Sequence, residues 1–311
     1  VKPLASVSLD LDNKWSYMKT RGDPAWETLP SYLDVVVPRF LEFLSGRRLA
    51  ITVLVVGQDA ALPTHREVLA SVAAAGHEIG NHSFRHEPWL HLYPPAEIED
   101  EIARAEEAIA AATGRRPIGF RGPGYCSTPV VRDVLARRGY LYDASALPTF
   151  IGPLARAYYF LTSGLGAAER RKRRALFGGI GDAFRPNRPR VVQAAGRPLV
   201  DLPVTTMPLL RTPIHASYVL YLARFSQTTA RTYFRLAVWL ARRTGTEPSL
   251  LLHPLDFLTA QDAPELAFFP AMDLPLRDKM ELLGFVLDTL GTGFALTTLE
   301  SHARAVRERA A

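Results

Sequence analysis

From its first residues the chain alternates between short apolar, β-branched runs and longer stretches in which apolar positions recur every three to four residues. "ASVSLDLD" (5–12) predicts a buried strand, "SYLDVVVPRFLEFLSGRR" (31–48) an amphipathic helix and "LAITVLVVG" (49–57) a second strand. "THREVLASVAAAG" (64–76) predicts a helix closed by a glycine, where a left-handed cap is expected. "HEIGNHS" (77–83) is a third strand, and "PAEIEDEIARAEEAIAAATG" (95–114) a long helix with its acidic residues early and a closing glycine. "PIGFRG" (117–122) follows as a fourth strand, "TPVVRDVLARRG" (128–139) as a helix capped by Thr128, and "YLYDAS" (140–145) as a fifth strand.

This alternation implies parallel strands joined by crossover helices, in a barrel or a doubly wound sheet. The glycine fingerprints of dinucleotide and phosphate loops are missing. Instead, Asp10, Asp12, His82, Arg121 and Asp143 stand at the C-terminal ends of successive strands, where barrel enzymes keep their chemistry, so the pattern favours a barrel. The rhythm breaks near residue 150. Residues 151–197 combine an aromatic-rich helical stretch, a basic run and a Pro/Arg-rich piece, and are expected to be an insertion over one face of a single domain spanning 1–311. Regularity returns with a strand at 197–205, a helix at 228–245, a strand at 249–257 that carries His253, a helix at 276–291 and a strand at 294–298.

Composition changes little of this picture. With 48% hydrophobic and 22% charged residues the chain reads as soluble and globular, and no run of 18 apolar residues predicts a membrane span. "VKPLASVSLDLD" shows no signal-peptide pattern, so the expected location is cytoplasmic. The single cysteine, Cys126, excludes a disulfide framework and a Cys-rich zinc module. Charge matters more. The net +6 is concentrated in "ERRKRR" (169–174) with Arg185, Arg188 and Arg190. That segment is either a solvated surface or a contact for an anionic one, including the inner membrane face; no nucleic-acid module accompanies it, so no nucleic-acid partner is expected. The aromatic runs "YYF" (158–160) and "YVLYLARF" (218–225) read as core, or, beside the basic run, as part of a membrane-facing patch.

The candidate chemistry starts from "HSFRH" (82–86), two histidines four apart, which alone decide nothing. Two apart on one strand, Asp10 and Asp12 point the same way and repel unless a cation or a proton lies between them. Asp12, His82 and His86 make a two-His, one-carboxylate set that leaves a zinc-type ion one open position. Asp10 then stands beside that position as a base for water. Arg121 can pair with Asp10 and hold it ionised, a bidentate task for which an arginine fork is suited. His253 supplies an acid for a departing amine. Among the other histidines, His77 reads as a strand residue, His65, His91 and His302 as surface positions, and His215 as a cap or packing residue near the substrate loops.

These pieces, in this order, resemble the polysaccharide deacetylases of carbohydrate esterase family 4, which share the NodB-homology fold. "SLDLDN" is similar to the family's first motif, usually T-F-D-D-G; "GHEIGN" and "HSFRH" match its metal motif; "FRGPGY" resembles R-x-P-[YG] and "LLLHP" the late L-x-H. The resemblance covers about 5–145 and 197–300. It implies a distorted (β/α) barrel of about seven strands and metal-dependent removal of an N-acetyl group from a saccharide or glycolipid, with zinc the expected ion. In it Asp10 is the base, Asp12, His82 and His86 the ligands, Arg121 the residue that orients the base and His253 the acid. Tyr125 would lend its backbone N–H to an oxyanion hole. Leu11 separates the two aspartates, Asn13 replaces a glycine, and the Asp-Trp group that tunes the acid histidine has no match; Asp143 and Asp256 are the candidates for that task. Competing readings are a glycosyltransferase holding its cation on Asp-x-Asp, a saccharide-binding relative without catalysis, and a metal-free hydrolase of a cyclic amide.

Overall fold

β1 (Leu4–Leu11) is buried along all but its first residue because it pairs with three other strands. In the computed structural model, which describes residues 2–125, 127–152, 181 and 184–311, the chain runs on through α1 (Lys14–Arg21), α2 (Leu33–Ser45), β2 (Thr52–Val55), α3 (Gly57–Ala60), α4 (Arg66–Ala74), β3 (Glu78–Asn81), α5 (Pro95–Thr113) and β4 (Gly119–Phe120). After α6 (Pro129–Arg137) and β5 (Tyr142–Asp143) come β6 (Arg190–Ala194), β7 (Arg197–Asp201), α7 (Ala216–Ala223) and α8 (Gln227–Thr244). β8 (Ser249–Leu252), α9 (Leu276–Gly293), β9 (Ala295–Thr297) and α10 (Leu299–Ala310) complete the described elements.

The strands form one curled sheet in the order β6-β7-β5-β4-β3-β2-β1-β8, with β9 also on β1. Every pairing on this path is parallel except β6 with β7. The expected distorted barrel is therefore present. Its open side is drawn together where Thr205 N–H donates to the Ser249 carbonyl (3.0 Å) and Ser249 N–H to Thr205 Oγ1 (2.7 Å).

The helices form where the apolar period predicts them. In α2 the buried residues Leu33, Val36, Val37, Phe40 and Leu44 lie on one stripe. Phe40 is fully buried against Phe257, their ring centroids 6.2 Å apart, and burial of a side chain this size contributes about 2 kcal/mol. α4 and α5 give way to glycines in the left-handed region, Gly76 (φ 84°) and Gly114 (φ 69°). Thr128 caps α6, accepting from Val131 N–H.

The differences from expectation are local. β4 and β5 span two residues each. Beyond Arg121 side chains take over the backbone bonds: Gly122 N–H donates to Ser145 Oγ (2.8 Å) and Ser145 N–H to Asp143 Oδ1 (3.0 Å). Residues 190–194, expected within the insertion, are strand β6, turned into β7 by Ala195 (φ 47°) and Gly196 (φ 72°), a two-residue hairpin. The helical stretch, "YYF" and "ERRKRR" expected at 151–197 fall on 153–180, outside the described residues. His65 and His302 are buried, not at the surface. His65 Nδ1 lies 3.3 Å from Asp59 Oδ1; His302 bridges Ser6 (3.0 Å) and Glu247 (3.3 Å). Among the described residues no helix is long and apolar enough to cross a membrane.

Candidate metal centre and active site

β1 carries Asp10 near its C-terminal end and Asp12 just past it. The next residue, Asn13, sets the path of the chain as it leaves the strand. Its Oδ1 caps α1 by accepting from Lys14 N–H (2.8 Å), while its amide nitrogen donates to Asp59 Oδ1 (2.7 Å) and Ser31 Oγ (3.0 Å). Where glycine is usual in the resembling motif, a buried amide thus bolts the first loop to the rest of the barrel. Tyr32 OH adds a bond to the Asp12 carbonyl (2.6 Å).

His82 and His86 follow β3 in a tight loop rather than a helix. Ser83 (φ 63°) and His86 (φ 50°) both occupy the left-handed region, which costs a non-glycine residue about 1 kcal/mol or more and clusters at working sites. Asn81 holds the turn: its Oδ1 accepts from Ser83 N–H (2.8 Å), and its amide nitrogen donates to Tyr140 OH (2.8 Å) and the Ile102 carbonyl (3.0 Å).

The loop brings His82 Nε2 to 3.2 Å and His86 Nε2 to 2.9 Å from Asp12 Oδ1, and all three side chains are buried. His82 Nδ1 lies 2.6 Å from the Arg121 carbonyl, a contact that requires a proton on Nδ1 and, in the neutral ring, leaves a lone pair on Nε2. That lone pair faces a carboxylate oxygen with no hydrogen-bond donor settled on it. Lone pairs meeting at this distance need a cation or a proton between them, and the three ligand atoms lie within 4.8 Å of one another. The donor set fits a divalent cation of zinc type. Burial alone would raise Asp12, yet the two imidazoles hold its carboxyl well below the usual range; burial works against charge on His82, while Asp10 and Asp12 raise it.

Asp10 is kept out of this cluster. Arg121, fully buried on the segment after β4, sends Nη1 to Asp10 Oδ1 (2.6 Å) and to Ser8 Oγ (3.0 Å), and Nε to the Ala144 carbonyl (2.8 Å). The grip on Asp10 is single, not the bidentate fork expected: Nη1 is shared between Asp10 and Ser8, Nε turns to the segment after β5, and the buried Nη2 takes no hydrogen-bond partner. The other Asp10 oxygen lies 3.9 Å from His82 Nε2, beside the ligand cluster.

Tyr125 follows Gly124, and both are in the left-handed region (φ 63° and 64°). Its N–H donates to the Gly122 carbonyl at 3.2 Å, the long end of the range, so the expected oxyanion donor is engaged within its own turn. Its desolvated phenol, raised above the ordinary tyrosine range, feels Asp10, Asp12 and Asp256.

His253 comes one residue after Leu252, which pairs with Leu9, so β8 delivers it beside Asp10. Between the two candidates for its support the geometry is one-sided. Asp143 is occupied by Ser145 and Ser127 Oγ (2.8 Å). Asp256 accepts from the His253 backbone N–H (2.8 Å). His215 caps α7, as its neighbours suggest, with its ring 6.0 Å from His253; burial and that second imidazole lower it to about 3. Three further residues carry no signal in the sequence: Tyr17 of α1, which lies against Asp12 and feels Asp256; Ser8; and Ser217 of α7, whose Oγ lies 3.0 Å from His253 Nδ1.

Known proteins resemble this chain in sequence and in fold. Residues 25–142 match the family model described as polysaccharide deacetylase. A peptidoglycan deacetylase of Helicobacter pylori is 28% identical over 114 residues, 37% of this chain and 38% of that one. A peptidoglycan deacetylase-like protein of Gibberella zeae is 31% identical over 167 residues, 51% and 46% of the two chains. The matches thus span less than half the length of these relatives. A crystal structure described as a polysaccharide deacetylase from Mycobacterium smegmatis superposes with a TM-score of 0.64 over 99% of this chain and 92% of that one; at 20% identity the likeness is one of fold. Over the matched residues, and in its barrel and the order of its motifs, the chain is similar to the polysaccharide deacetylases of carbohydrate esterase family 4, with the NodB-homology fold.

Proposed function

We propose that the protein is a zinc-dependent hydrolase that removes an N-acetyl group from a sugar of a glycan. One observation carries this reading: Asp12 Oδ1, His82 Nε2 and His86 Nε2 converge to within 4.8 Å of one another, while Asp10, two residues away, is held off by Arg121. Zinc bound there supplies Lewis acidity toward an acyl oxygen and makes water a nucleophile near neutral pH. Asp10 takes the proton of the attacking water; Arg121 holds that carboxylate in position. His253, on the neighbouring strand, gives a proton to the departing amine. We assign the Tyr125 N–H to the acyl oxygen, its long bond to Gly122 being the one it shares or exchanges; a donor of this kind is worth about 3 kcal/mol in other hydrolases.

The family supports an N-acetylated saccharide as substrate, and the Helicobacter and Gibberella relatives are named for peptidoglycan. The glycosyltransferase reading needs both aspartates on one cation, whereas Asp10 turns to Arg121 and Asp12 to the histidines.

Acetate release from a panel of N-acetylated glycans, with bound metal measured in parallel, tests the assignment. Asp10→Asn is expected to keep zinc and lose about 10²–10⁴-fold in turnover. His82→Ala is expected to lose both zinc and turnover. Full activity in Asp10→Asn removes the base; zinc content unchanged in His82→Ala removes the metal centre.

A further inference from the structure

We propose that Ser217 is the positioning residue of His253: it carries the hold of Asp256 to the Nδ1 edge of the ring, so that Nε2 is the nitrogen that gives up and regains the proton. The inference rests on the proposed role of His253 as the acid, and deepens it.

The geometry is a short relay across two elements. Ser217, the second residue of α7, places Oγ 3.0 Å from His253 Nδ1, and its hydroxyl is one of the groups that lower the neighbouring Asp256 carboxyl. Asp256, almost wholly buried, takes the His253 backbone N–H with its Oδ2 at 2.8 Å. A hydroxyl has one proton and two lone pairs, and an ionised carboxylate only accepts. The serine proton therefore goes to Asp256, and its oxygen is left to accept from His253. Only a ring with its proton on Nδ1 can donate to it. The tautomer is fixed without a direct contact between the imidazole Nδ1 and the carboxylate.

Two features favour the ionised Asp256 that this direction requires. Burial, the largest effect, leaves its carboxyl above the ordinary value, and His253, the Ser217 hydroxyl, the His253 backbone N–H and the charge of Lys279 oppose that rise. Lys279, fully buried on α9, donates to the carbonyls of Leu255 and Leu258, on either side of the Asp256 turn, and so fixes the turn itself. Among the described residues, the titratable groups placed near His253 or Asp256 include His215, Lys279, Tyr17, Tyr125 and, on the neighbouring strand β1, Asp10. His215 is lowered to about 3 and both tyrosines are raised, so none of these three titrates between pH 5 and 7.5; Lys279, lowered to about 8, sets the upper limit of a clean pH range.

The relay is tested first without activity. In the zinc-loaded protein labelled with ¹⁵N-histidine, and with His253 assigned by His253→Asn, the neutral His253 ring is expected to show its proton on Nδ1. Ser217→Ala should give a tautomer mixture, and Ser217→Thr should restore the Nδ1–H form. A wild-type ring protonated on Nε2, or a tautomer indifferent to Ser217→Ala, overturns the proposal whatever the enzyme hydrolyses. Kinetics then read the same contact. Ser217→Ala is expected to lose about tenfold in kcat with KM and zinc content held. Its basic limb should move down by about half a pH unit or more, because the imidazolium loses a hydrogen bond that favours its charged form. A Ser217→Ala profile that is only scaled, with no displaced limb, also overturns it. If the ring spectra agree while the wild type releases no acetate from any glycan, the hydrolase reading fails and the relay stands.

Discussion

At the scale of single residues, the site depends on buried charges whose partners are fixed one by one. Arg121 is the clearest case, since one guanidinium serves Asp10, Ser8 and the Ala144 carbonyl with no solvent to replace any of them. Lysine at 121 keeps the charge but cannot span the three, and glutamine strands Asp10 as a buried, unpaired carboxylate. Breaking such a pair typically costs about 3–5 kcal/mol. Arg121→Gln is therefore expected to lower unfolding free energy by about 3 kcal/mol in urea titrations and to abolish turnover. Arg121→Lys should fold more stably than Arg121→Gln and still lose about 10²-fold in kcat, because the base is no longer aimed. Equal stability of wild type and Arg121→Gln would show the pair to be solvated. The same residues explain what could be read from the sequence. Asp12, His82, His86 and His253 are legible because chemistry-bearing types recur at successive strand ends together with Arg121; no single pair marks the site. Ser217 and Asn13 are common types whose partners lie 36 and 46 positions away, and nothing local distinguishes them from surface caps.

At the scale of elements, the ligand loop is positioned by how closely helices approach strand ends. Gly57 opens α3 directly after β2, donates its N–H to the Ser83 carbonyl (2.9 Å) and lets α5 come against it. A Cβ there would lie 2.6 Å from Ala105 Cα and 2.8 Å from both Ala105 Cβ and the Phe84 ring. Backbone on one side and the metal loop on the other leave no cheap direction of escape. Gly57→Ala is thus expected to cost about 2 kcal/mol and to weaken zinc binding, by moving the loop from which His82 and His86 project. Isothermal titration with zinc alongside denaturation checks both; a stable variant with unchanged zinc affinity would mean that the loop is held by Asn81 alone. The elements that periodicity predicted are those with a long apolar stripe or a β-branched run. It overran β4 and β5, where side-chain hydroxyls replace ladder bonds. It passed over β6, a half-exposed edge strand whose polar alternation resembles a loop, and α10, which is rich in Arg and Glu.

At the scale of the whole molecule, stability and the proposed chemistry meet at Lys279, the buried lysine beneath the turn that follows His253. Its folded value of about 8 reflects burial outweighing the attraction of Asp256, Asp262 and Asp273; in the unfolded chain it titrates near the ordinary value of about 10.4. Between these values the unfolded chain still holds a proton that the folded one has released. The unfolded state then binds more protons, so this group makes stability rise with pH across roughly 8 to 10.4. Below about pH 7 both states are charged and the contribution is flat, with the full cost of burying an ammonium present. Lys279→Met removes the titration along with the two carbonyl contacts. The difference in unfolding free energy, wild type minus Lys279→Met, is therefore expected to be constant at low pH and to climb above pH 8 by at most about 1.4 kcal/mol per pH unit. Urea titrations of both proteins from pH 6.5 to 10 measure this directly, since the tyrosines and carboxylates common to the two cancel in the difference. Parallel curves would place the ammonium in water, and the support that it gives to the Asp256 turn, and through Ser217 to His253, would have to come from the packing of α9 alone.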